Sequence, residues 1–146
     1  DYLIISKLGL SWSNVKQVFG SKDKIETTRG NIIVFRAPNS NLFFVKRIIG
    51  LPKERVVIKD GQVKIFNKDN PQGFVLKENY INQKTEGDLD QIIDPDYVFV
   101  LGDNRTHNGS FDSRYFGPLS KENIIGNATL RLLPANHMEI IKNPNY

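Results

Sequence analysis

The chain has 146 residues, no Cys, two His and a formal net charge of +4, which suits one domain with a core of its own. It excludes a disulfide framework, a thiol nucleophile and a thiolate metal site, and His107 and His137 alone are too few for a structural zinc. The positive charge would suit nucleic acid or anionic lipid, but it is small and scattered, with no block of like charges, and is only a weak pointer to the surroundings.

Taken in order, the chain opens on "DYLIISK", strand-like from its second residue, so it reads as a piece cut from something longer. No apolar run approaches the roughly 18 residues of a membrane span, and no charged start precedes an apolar core. Short runs rich in Val, Ile and Phe at 2–6, 31–35, 42–49, 55–58, 62–66, 97–101 and 124–132 alternate with Gly, Pro, Asn and Asp. That is the pattern of a mainly antiparallel β protein. Between the fourth and fifth runs, Asp60-Gly61 predicts a type I′ hairpin, which needs positive φ at both central positions. Helical signal is thin: "SWSNVKQVFG" predicts one or two turns, and "LSKENIIG" a turn capped by Ser120. Residues 67–96 are polar, carry Pro71, Gly73 and Gly87, and read as a loosely packed lobe between better-patterned regions.

Two stretches carry residues suited to chemistry. In "NLFFVKRIIGLP" the alternation of a strand gives each face one cation among apolar neighbours: Lys46 with Phe44 and Ile48, Arg47 with Val45 and Ile49. The two cations can be the snorkelling charges of an edge strand. Alternatively, a Lys in apolar surroundings loses hydration of its ammonium form and can act as a general base near neutral pH, which Arg cannot. In "LGDNRTHNGSFDSRYFG", Asp103, His107 and Ser110 are the residue types of a local triad, but triads are assembled from distant segments. Asp103, Arg105, Asp112 and Arg114 could instead pair with one another and hold the loop, with Asn108-Gly109 as a tight reversal and His107 exposed beside it.

In this order and spacing, "RGNIIVF", "FFVKRIIGLP" and "VFVLGDNRTHNGSFDSRYFG" resemble the later conserved boxes of the type I (leader) signal peptidases. The resemblance takes in "DYLIISK" and "IIGNATLRLLP" and so covers nearly the whole chain. It implies a mainly β fold: an antiparallel β-sheet catalytic core with a small β/loop insertion and little helix. One extracytoplasmic domain would span 1–146, its core at about 1–59 and 97–146 and a compact insertion at about 60–96.

The implied activity is that of a membrane-anchored serine endopeptidase with a Ser/Lys dyad, removing signal peptides from exported preproteins after small side chains. Its implied place is the bacterial cell membrane, with the catalytic domain on the extracytoplasmic side. Signal peptides and the membrane surface are its implied partners; no nucleic acid, cofactor or metal is implied. By the same resemblance Lys46 is the general base and Ser110 the serine that hydrogen-bonds and orients it. Asp103, Asn104, Arg105, Asp112 and Arg114 support the site, and Ile32, Val34 and Val45 line shallow apolar pockets for small side chains.

The family's nucleophile belongs to a Ser-Met-x-Pro-Thr box shortly ahead of the strand that resembles "DYLIISK". None of Ser6, Ser11, Ser13 or Ser21 is followed by Met-x-Pro, so nucleophile and anchor are expected outside these residues and the fragment alone is expected to be inactive. Asn31 stands where the family usually has Asp. Lys53-Glu54 replaces Gly-Asp after Pro52, which is expected to alter that turn by removing a residue tolerant of positive φ. The 53–96 connection is short, as in the compact Gram-positive form. Two other readings are an inactive relative assisting surface-protein or pilus assembly, against which Lys46 and Ser110 both argue, and a self-cleaving DNA-bound regulator, which would not share the "GDNR" box.

Overall fold

The structure, a computed structural model, describes residues 27–127, 130–132 and 138–140. The expected strand at 2–6 and helical turns at 11–20 lie outside them. In chain order the strands are β1 (Ile32–Arg36), β2 (Phe43–Gly50), β3 (Arg55–Lys59), β4 (Gln62–Phe66), β5 (Phe74–Val75), β6 (Leu89–Ile92), β7 (Tyr97–Leu101), β8 (Leu119–Ser120), β9 (Ile124–Asn127), β10 (Leu130–Leu132) and β11 (Met138–Ile140). One helical turn, α1 (Ser113–Phe116), separates β7 from β8. The fold is thus mainly antiparallel β with very little helix, as the sequence implied.

A five-stranded sheet runs β8-β7-β2-β1-β9, and a four-stranded sheet runs β5-β4-β3-β6. The β3–β4 hairpin turns on Asp60 and Gly61 at φ 53° and 81°, the predicted double positive φ. The smaller sheet includes Arg55–Lys59, on the core side of the expected 59/60 boundary, and gains β5 and β6 from the polar stretch. Those two strands are short and carry exposed Val75 and Ile92, so neither shows the alternation that marks a strand in sequence. The expected run 124–132 serves two sheets, β9 pairing with β1 and β10 with β11. Ser120 caps a 3-10 turn at Lys121–Asn123, its Oγ accepting from Glu122 N, as predicted.

Alternation in β2 and β7 gives the large sheet a core on each face. Ile49, Phe99 and Leu101 pack with Val56, Ile58, Val63 and Ile65 of the smaller sheet. Ile48, Val98 and Val100 pack on the other face with Ile33, Phe35, Leu119 and Ile124. Full burial of each such side chain contributes about 1.5–3 kcal/mol, and together they hold β2 between two apolar clusters.

Candidate active site

Lys46 lies in the middle of β2, paired with Ile33 of β1. Strand alternation sends it to the face of Ile33, Phe35 and Ile48, where it is only 6% exposed. Its Nζ sits 5.7 Å from the Phe44 ring centroid, and Phe44 meets Phe111 edge to face at 6.0 Å. Burial is the largest influence on the amine and pushes its pKa below the ordinary 10.5. Asp112 and then Asp103 push it back up, and Arg114 pushes it down, without reversing the effect of burial. The salt bridges among the described residues of the site are made by arginines, which leaves Lys46 as a cation that can give up its proton.

Ser110 comes to the same place by way of Gly102. Extending the β2–β7 register, in which Arg47 faces Leu101, by one residue sets Gly102 opposite Lys46. A Cβ on Gly102 would lie 2.1 Å from Ser110 Oγ and 3.6 Å from Lys46 Nζ. Only glycine fits between them, since real Cβ contacts are never so short. Ser110 Oγ is buried without a hydrogen-bond partner, so the bond to Lys46 that the sequence suggested is not formed in this arrangement. A buried hydroxyl left unpaired costs about 1–3 kcal/mol. The site therefore holds an unused hydroxyl beside a desolvated amine.

The loop around Ser110 is fixed by charge. Asp112, with no exposure, accepts at Oδ2 from Gly102 N at 2.9 Å and at its two oxygens from Arg114 Nε and Nη2 at 2.9 and 3.0 Å. It also caps α1 by accepting from Arg114 N. Arg114 Nη1 donates to Arg105 O at 2.8 Å. Asp103 pairs with neither loop arginine but with Arg47, a correction to the loop-internal pairing: Arg47 Nε and Nη2 donate to its oxygens at 2.9 and 2.7 Å.

Arg105 also points away from the loop carboxylates. Fully buried, it donates from Nη1 to Glu78 Oε2 at 2.7 Å and to Thr85 Oγ1 at 2.9 Å, and from Nε to Gly102 O at 2.7 Å. Glu78, Tyr80 and Thr85 went unrecognised because nothing local marks a residue whose partner is 20 or more positions away. Asn104 Oδ1 accepts from Thr106 N and Oγ1 at 3.3 and 2.8 Å, closing the turn that Asn108 continues at φ 57°, with His107 exposed.

The expected pocket residues sit together but apart from the amine. Val34 faces Val45, and Ile32 faces Arg47, so alternation places all three on the face opposite Lys46. Val34 is fully buried, while Ile32 and Val45 are partly exposed. They do not line the depression of about 560 Å³ at the β1–β2 turn, which is bounded by Arg36, Pro38, Asn41 and Asn123.

The turn after Pro52 survives its lost glycine, because Lys53 itself takes φ 67°. Glu54 beside it is buried and accepts from Leu51 N at 2.8 Å, from Asn67 Nδ2 at 2.9 Å and from Arg29. Asn31 is buried, and its backbone carbonyl accepts from Ile48 N at 2.9 Å. Among the described residues no helix is long and apolar enough to cross a membrane, and no group of three His, Asp or Glu is placed to hold a metal.

Chemically, the arrangement offers a proton acceptor: a lysine that can be neutral below its ordinary range, with a serine hydroxyl at its side. Comparison with known proteins gives the family. Residues 1–133 match the family described as "Signal peptidase, peptidase S26". A signal peptidase I of Leptolyngbya laminosa is 38% identical over 128 residues, covering 81% of this chain and 59% of the relative. The chloroplastic thylakoidal processing peptidase 1 of Arabidopsis thaliana is 36% identical over 116 residues, 71% of this chain and 32% of its own. The crystal structure of a signal peptidase I from Enterococcus faecalis superposes with a TM-score of 0.61 at 30% identity, covering 73% of this chain and all of that one. The chain thus spans under two thirds of the length of the curated relatives it matches. On a match over most of its length, with the fold in agreement, this chain belongs to the signal peptidase family, peptidase S26.

Proposed function

We propose that this chain supplies the general base of a membrane-anchored Ser/Lys endopeptidase that removes signal peptides from exported preproteins on the extracytoplasmic side of the bacterial membrane. The observation that carries the reading is Lys46, buried with its pKa pushed down, sharing the space beside Gly102 with the unpaired hydroxyl of Ser110. Neutral Lys46 takes the proton of a nucleophilic serine contributed by the full-length protein, and that oxygen attacks the scissile carbonyl. Lys46 then gives the proton to the leaving amine. Water, deprotonated by the same amine, releases the acyl group. The Ser110 hydroxyl, unpaired in this arrangement, would hold the amine in line once the two close on each other, accepting from it when it is charged and donating to it when it is neutral.

Support for the substrate class comes from the family, whose members are signal peptidases; Ile32, Val34 and Val45, on the face opposite Lys46, add nothing to it. The test is cleavage of a preprotein by the full-length protein. Lys46→Ala is expected to abolish it with an unchanged circular dichroism spectrum, and a fully active Lys46→Ala overturns the assignment. The 146-residue chain by itself is expected to leave the preprotein intact.

A further inference from the structure

Lys46 and Arg47 are neighbours on one strand, so alternation points the amine to one face of the large sheet and the guanidinium to the other. On that other face, Tyr80 of the stretch between β5 and β6 meets both arginines that grip the Gly102 turn. Its ring lies 4.2 Å from Arg47 Cζ. Its hydroxyl donates to Glu78 Oε1 at 2.5 Å and accepts from Arg105 Nη2 at 3.3 Å. Arg47 holds Asp103 with two hydrogen bonds, and Arg105 holds Gly102 O at 2.7 Å. Gly102 is the residue that separates Lys46 from Ser110.

We propose that Tyr80 is a positioning residue for Lys46 and Ser110, acting across the sheet through Arg47 and Arg105. This rests on the reading of Lys46 as the base. The ring restricts Arg47 by stacking and cation–π attraction, and the hydroxyl completes the hydrogen bonds of the buried Glu78–Arg105 pair, whose side chains are 7% and 0% exposed. A guanidinium so enclosed has one orientation. With both arginines fixed, the backbone at 102–103 is fixed, and Ser110 is held against the space that would otherwise admit water to the amine. The insertion thereby serves the chemistry on the far side of the sheet without touching substrate there.

Two variants separate positioning from folding. Tyr80→Phe keeps the ring over Arg47 and loses the hydroxyl, whereas Tyr80→Leu loses both. In the full-length protein, the readouts are the acid limb of the pH–rate profile for preprotein cleavage and the pH dependence of Lys46 acetylation by acetic anhydride, followed by peptide mass spectrometry. Tyr80→Leu is expected to move both midpoints to higher pH as water reaches the amine. A move of about half a pH unit lowers the rate below the limb about threefold. Tyr80→Phe is expected to fall between Tyr80→Leu and the wild type. A purely structural role would lower the melting temperature and leave both midpoints in place, and that result for folded Tyr80→Leu and Tyr80→Phe overturns the proposal. If Tyr80→Leu does not fold, Tyr80→Phe alone decides. An active Lys46→Ala would sink the general-base reading separately, since the acetylation midpoint reports on Lys46 whatever its role.

Discussion

Arg47 donates from Nε and Nη2 to the two oxygens of Asp103, at 2.9 and 2.7 Å. The pair joins β2 to the loop one residue from Lys46 and on the opposite face of the sheet. Its energetic weight is moderate, because Asp103 keeps 38% of its side chain in water while Arg47 keeps 5%. Its geometric weight is larger. It fixes the backbone next to Gly102, and Gly102 is where amine and hydroxyl meet.

Arg47→Lys is therefore not a conservative change. A lysine ammonium cannot make the planar two-point contact, reach Gly30 O as Arg47 Nη1 does at 2.9 Å, and stack on Tyr80 at once. Urea denaturation is expected to show a loss of about 1–2 kcal/mol, and preprotein cleavage by the full-length protein is expected to fall further than that loss of stability explains.

Gly102→Ala tests the space shared by Lys46 and Ser110 directly. The added methyl would stand 2.1 Å from Ser110 Oγ and 2.5 Å from Ser110 Cβ, so Ser110 has to move. Overpacking of this kind costs about 1–3 kcal/mol. The folded variant is expected to be nearly inactive, and a wild-type cleavage rate would show that Ser110 need not stay where it is.

Asp112→Asn probes the support beneath the loop. Its two oxygens accept from Gly102 N, from Arg114 Nε and Nη2, and from Arg114 N, with no exposure to water. An amide has one oxygen and leaves Arg114 without its counter-charge in a nearly buried site. Breaking a buried pair from one side costs about 3–5 kcal/mol, which thermal unfolding is expected to show. The double variant Asp112→Asn with Arg114→Met is expected to recover part of it, because the orphaned charge is gone.

The pH dependence of stability follows from the direction of the Lys46 shift. Its folded pKa lies below the ordinary 10.5 because burial penalises the ammonium form. The folded state therefore carries the full penalty at any pH below that lowered pKa, and the penalty disappears as pH rises toward 10.5. Lys46→Met removes it. The stability advantage of Lys46→Met over the wild type is expected to be largest at neutral pH and to shrink on raising the pH, and a pH-independent difference would mean that Lys46 is not desolvated.

Sequence alone determined the strands that alternate or turn sharply, because side-chain period and positive φ are local properties. It therefore showed β1 to β4, β7, the Asp60-Gly61 turn and the Ser120 cap, and it singled out Lys46 as the cation able to lose a proton. The family resemblance of the motifs suggested which residues accompany it. What only the tertiary structure decided is pairing at a distance. Asp103 and Arg105 are two residues apart and carry opposite charges, yet one pairs with Arg47 and the other with Glu78. The same holds for β5 and β6, whose membership of a sheet comes from the edges offered by β3 and β4 rather than from any pattern of their own. The face of Val34, opposite the amine, likewise needed the observed β1–β2 register, whereas that of Val45 followed from alternation along β2. A sequence specifies which groups can pair; the packing of the two sheets specifies which of them do.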